Sequence, residues 1–133
     1  MKIKNNKKDI AQEYILEAKK ILREKAIRDG IIYKHPKYTK KAARLILKSL
    51  LLILNKYMKI QNINIKDLRT IDDYVRIIAL KNKKIAIKTK STYQCLTAVI
   101  HYGFASHDTI KTSLDSIKEI SDWIKKSIIK HIK

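Results

Sequence analysis

A chain of 133 residues holds one domain with a substantial core, and a formal net charge of +19 points to a polyanionic partner such as RNA, DNA or an acidic membrane. Two glycines and one proline exclude Gly-rich phosphate loops, dinucleotide-binding turns and most β architectures, because those breaks are what such turns are made from. One cysteine excludes an intramolecular disulfide, and no apolar run approaches the ~20 residues that span a bilayer, so a soluble cytoplasmic protein is expected. The charge has a second explanation: 26 Lys stand against 5 Arg among abundant Ile and Asn, which is what AT-rich codons supply.

Residues 1–8 read as a basic flexible N-terminus and residues 9–133 as a single helical-bundle domain. Asp9 is placed to cap a first helix, whose apolar stripe is Ile10, Tyr14, Ile15, Ala18, Ile21, Leu22 and Ala26. That helix is expected to stop near Asp29, with Gly30 as the left-handed residue beyond its end. After a short connection from Ile31, Pro36 opens a second helix from about Lys37 to Met58. Its segment Leu50 to Leu54 is apolar all round, which marks a central helix. A loop over Gln61 to Lys66 leads to a capping arrangement of Thr70 and Asp73, then to a short helix that breaks near Asn82. A fourth helix runs from about Lys84 to Tyr102 and closes at Gly103. Asp108 is expected to cap the last helix, where Ile110, Leu114, Ile117, Ile120, Ile124 and Ile128 repeat every three or four residues beside Trp123. The fold class is all-α, an antiparallel bundle of four to five helices.

Several segments resemble a known family. Tyr14-Ile-Leu-Glu-Ala-Lys-Lys-Ile-Leu-Arg23 looks like its first helix, and Tyr33 with Lys37-Tyr38 and Ala42 like the start of its second. Asp73-Tyr74, Lys84, Tyr93, Leu96 and Tyr102 fit its middle helices, and Lys118-Glu119-Ile120 with Trp123 its last. The family is a group of small helical proteins of the Bacteroidota, a domain of unknown function. The resemblance implies a HEPN-like bundle over residues 10–125 and brings no established activity. Where the family tends to have His followed later by Gly-Tyr-Asp-Gly, this chain reads Thr97 and then His101-Tyr102-Gly103-Phe104. A role carried by that His or Asp in relatives would be lost here.

HEPN-type ribonucleases use an Arg and a His separated by four to six residues on one helix. Arg28 and His35 meet that spacing, but Gly30 and Pro36 set them across a helix end and a loop. No His or Cys pair has a metal-ligand spacing, so no metal and no cofactor is expected. His101 reads as a partly buried, hydrogen-bonded side chain, and Cys95 as a small core residue. Asp72-Asp73 and the set Asp115, Glu119 and Asp122 read as solvated carboxylates paired with nearby Lys, and no catalytic residue is assigned.

The basic residues carry the positive signal. No acidic residue occurs from Ile31 to Ile65 or between Tyr74 and His107. Lys37, Lys41, Arg44 and Lys48 share one helix face with Lys40 nearby, and Lys81, Lys84 and Lys88 form a second stripe flanked by Lys83 and Lys90; merged, the two would bind phosphates without reading sequence. Tyr33, Tyr38 and Tyr93 are placed to stack on bases or to pack in the core. The expected function is a non-enzymatic binding or assembly module with a basic surface for nucleic acid. Alternatives are a ribonuclease using Arg28 and His35, or a protein-interaction subunit that self-associates and whose charge reflects AT-biased composition.

Overall fold

The computed structural model describes residues 9–132, with side chains as far as Ile129; the expected flexible segment 1–8 and the side chain of His131 lie outside the described residues. Helix α1, Ile10–Ile21, begins where the Asp9 carboxylate accepts the Gln12 backbone N–H at 3.1 Å. It does not run on to Asp29. A π-turn, Leu22–Ala26, widens its last turn, and Ile27 ends it with φ +53°, its N–H bonded to the Leu22 carbonyl at 3.1 Å. Gly30, with φ +68°, is therefore not the residue that closes the helix. With Ile31 it forms the two-residue turn of a small hairpin that pairs β1, Arg28–Asp29, with β2, Ile32–Tyr33.

The hairpin is anchored from far along the chain. Ile32 bridges to Ser106, the Tyr33 N–H donates to Ala105 at 3.1 Å, and the His107 N–H donates to Ile31 at 2.7 Å. The Ala26 carbonyl that the interrupted helix leaves open accepts the Lys34 and His35 N–H groups at 3.2 and 3.1 Å.

Pro36 sits in the first turn of α2, Pro36–Ile60. A 3₁₀ turn, Ile65–Asp67, precedes α3, Ile71–Ala79. Asp73 caps α3, its carboxylate accepting the backbone N–H groups of Arg69 at 2.8 Å and Thr70 at 3.1 Å. Helix α4, Lys83–Tyr102, starts at Asn82, which accepts the Ile85 N–H, and closes at Gly103 with φ +79°. Helix α5 is His107–Ile132. Its cap is Ser106 rather than the expected Asp108: the Ser106 hydroxyl accepts the Thr109 N–H at 3.0 Å. Asp108 instead lies in the first turn, where a carboxylate suits the positive end of the helix dipole.

Helix α2 is the central element, packed against α1, α4 and α5, while α3 leans on α4. Its Ile46, Leu50, Leu54 and Met58 are fully buried, and Tyr57 meets Trp123 of α5 with ring centroids 4.9 Å apart. Burial of the Leu50–Leu54 segment is incomplete, since Leu52 stays 39% exposed. Ile110, Ile117, Ile120 and Ile124 form the buried stripe of α5, as their spacing requires. Cys95 is half-buried and receives the Ser113 hydroxyl at 3.6 Å. Over the described residues the protein is an all-α bundle of five helices carrying one short hairpin.

Candidate nucleic-acid interface

Lys37, Lys41, Arg44 and Lys48 are exposed along one face of α2, and Lys40 is half-buried beside them. From Lys37 to Lys48 the stripe covers about 16 Å of helix. Two tyrosines sit beneath its ends. The Lys48 ammonium lies 5.2 Å from the Tyr14 ring of α1, and Lys37 and Lys25 lie 5.7 and 5.9 Å from the Tyr38 ring. Tyr14 is near the start of α1 and Lys48 well along α2, while Lys25 and Tyr38 meet at the other end, so the two helices run antiparallel. Among the described residues, no stripe cation is ion-paired with a carboxylate.

The second stripe is arranged differently. Lys84 is exposed, but Lys88 is half-buried and pairs with Glu119 of α5 at 3.4 Å, and neighbouring Lys90 pairs with Asp72 at 2.9 Å. The two stripes are also staggered along the helix pair. A Cβ placed on Gly103 would lie 2.9 Å from the Pro36 Cβ and 3.1 Å from the Lys40 Cε, so the start of α2 meets the end of α4. Lys84 lies nineteen residues before Gly103, about 28 Å back along α4. The α2 stripe thus lies within about 18 Å of that junction and Lys88 and Lys84 about 22 and 28 Å from it, so along the antiparallel pair the stripes follow one another and do not lie side by side.

Arg28 stands in β1 and His35 just before α2, so the pair does not lie along one helix. His35 precedes α2, exposed, whereas Arg28 lines a cleft with Tyr33 and His107. Tyr33 is buried and bonded to the His107 Nδ1 at 3.3 Å, so it is no stacking platform. Burial pushes its hydroxyl above the usual tyrosine range, and the nearby Arg28 charge pulls it partly back. Sequence reasoning missed this pair, whose members lie 74 positions apart. Tyr93 is half-buried against the core.

His101 is exposed and stands edge-on to Tyr102 at 4.5 Å, in contrast to the expected partly buried, hydrogen-bonded histidine, because it lies in the last turn of α4 on a solvent-facing position. The carboxylates are salt-bridged at the surface: Asp115 with Lys111 at 3.3 Å and Asp122 with Lys118 at 3.8 Å. Asp73 is held below the usual carboxylate range by the Arg69 and Thr70 backbone N–H groups, with Arg76 adding to them. Among the described residues, no three His, Cys, Asp or Glu side chains gather where a metal ion could be held, and no helix is long and apolar enough to cross a membrane.

Among solved structures, the chain is similar to a protein of unknown function from Dyadobacter fermentans, with 27% identity and a TM-score of 0.77, covering 90% of this chain and 92% of that one. No curated protein matches it. The family model for a domain of unknown function, DUF5618, matches residues 6–126, and the chain belongs to that family.

Proposed function

We propose that this protein is a non-enzymatic, cytoplasmic nucleic-acid-binding module that holds single-stranded RNA through the α2 stripe. The observation that carries the reading is the state of that stripe: Lys37, Lys41, Arg44 and Lys48 are exposed and, among the described residues, unpaired with carboxylates. Unpaired cations release counterions from a phosphate backbone without first breaking an ion pair. Tyr14 and Tyr38, half-buried beside these ammonium groups, offer aromatic edges along the same track. Lys predominates over Arg in the stripe, which suits point-charge contact with phosphates rather than base reading. Lys84 contributes little, being at the far end of α4.

A gel-shift titration with a single-stranded RNA oligonucleotide tests the reading. The combined variant Lys37→Glu, Lys41→Glu, Arg44→Glu, Lys48→Glu loses retention, while Lys81→Glu with Lys84→Glu keeps most of it. Equal retention by the fourfold variant, with its helical circular dichroism intact, overturns the proposal.

A further inference from the structure

A cleft of about 550 Å³ opens on the other side of α1, between that helix, the β1–β2 hairpin and the first turns of α5. The volume falls in the range of small-molecule sites. Its floor is apolar: Leu22 and Ile110 are buried and Leu114 half-buried. Its edge is cationic, formed by Lys19, Arg23, Arg28 and Lys111. Two of these are already engaged, Arg23 with Glu24 at 3.2 Å and Lys111 with Asp115 at 3.3 Å. Lys19 and Arg28 have no carboxylate partner among the described residues.

The Arg28 side chain is also positioned. Its Nε donates to the Gly30 carbonyl at 3.2 Å, within the hairpin that pairs Arg28 with Tyr33. Its terminal nitrogens remain for a ligand. Tyr33, 6% exposed, and His107 form the inner wall, joined at 3.3 Å. When Tyr33 donates to Nδ1, the neutral imidazole carries its proton on Nε2, a further donor. Donors thus outnumber acceptors around an aliphatic floor. The one lining carboxylate, Asp115, is tied to Lys111.

We propose that this cleft binds a small amphiphilic oxyanion, an apolar body seated on Leu22, Ile110 and Leu114 with a phosphate or carboxylate head held by Arg28 and Lys19. A guanidinium fork matches either head in two parallel hydrogen bonds. The apolar floor supplies the discrimination against bare inorganic anions. The site is separate from the α2 stripe: no residue lining the cleft belongs to α2, and Lys48 and Lys37 lie against Tyr14 and Tyr38 instead.

An amide-resolved NMR titration of the full chain with phenyl phosphate tests the proposal. Saturable shifts are expected at Arg28, Tyr33, His107 and Leu114, with a dissociation constant of about 1 mM or tighter. Inorganic phosphate and benzyl alcohol each bind at least about tenfold more weakly, a difference of about 1.4 kcal/mol. Benzoate in place of phenyl phosphate distinguishes a carboxylate head from a phosphate head. Arg28→Gln weakens phenyl phosphate about tenfold, and the fourfold α2 variant leaves it unchanged, so failure of RNA binding and failure of this site are separable. Phenyl phosphate binding no tighter than inorganic phosphate, an unaffected Arg28→Gln variant, or shifts confined to α2 overturns it.

Discussion

Replacing Gly103 with Ala tests the contact that sets α2 against α4. Two costs act there. The backbone has φ +79°, where an L side chain is strained by about 1–2 kcal/mol. The new methyl would also stand 2.9 Å from the Pro36 Cβ and 3.1 Å from the Lys40 Cε. Lys40 can withdraw the end of a flexible chain. Pro36 cannot yield in the same way, because its ring is locked into the first turn of α2. Forcing a methyl into such a contact costs about 1–3 kcal/mol more. Gly30 provides the control: φ is +68°, and nothing lies within 4 Å of its added Cβ. Gly30→Ala should therefore show only the backbone cost. In urea unfolding followed by far-UV circular dichroism, Gly103→Ala should lose at least about 1 kcal/mol more than Gly30→Ala. For a chain of this size that is roughly 3–4 °C in melting temperature. Equal losses in the two variants would refute the close approach, and with it the staggered placement of the two lysine stripes.

Three further outcomes follow from the same packing. Ser49 is fully buried and its hydroxyl has no hydrogen-bond partner among the described residues, so Ser49→Ala should be neutral or stabilising by about 1 kcal/mol in the same urea assay. Asp73 has a depressed pKa in the fold, so its contribution is present above the ordinary aspartate range and lost as pH falls through the folded value. Asp73→Asn should accordingly destabilise near neutral pH, with the gap from wild type closing in acid. Burial raises the Tyr57 pKa above 10.0, which means its contribution is full below that value and lost as pH rises through the folded one. Tyr57→Phe should flatten the alkaline loss of stability in a pH series of thermal melts.

Much of the bundle was legible because burial leaves a period in the sequence. Ile110, Ile117, Ile120 and Ile124 could occupy one helix face only, and Gly103 was a natural helix stop. Asp29-Gly30 was ambiguous, since the same dipeptide ends a helix or turns a hairpin. The choice was decided elsewhere, by the π-turn at Leu22–Ala26 and by the bonds that Tyr33 donates to Ala105 and His107 donates to Ile31. No local pattern announces a partner so distant in the chain. The α2 stripe was visible in its spacing of four, three and four residues. Its relation to Lys84 depended on the direction in which α4 returns, which spacing within a helix does not encode. The Tyr33–His107 pair was hidden for the same reason: it exists only once the hairpin docks on the start of α5.

The most direct measurement of the central claim is the salt dependence of RNA affinity. Counterion release lowers the logarithm of the binding constant by about 0.7 per phosphate contact for each unit of log salt. Four contacts along α2 give a slope of about −2.8, and reversing all four charges should bring the remaining slope close to zero. A wild-type slope near zero, or one that the fourfold variant leaves unaltered, would contradict the account.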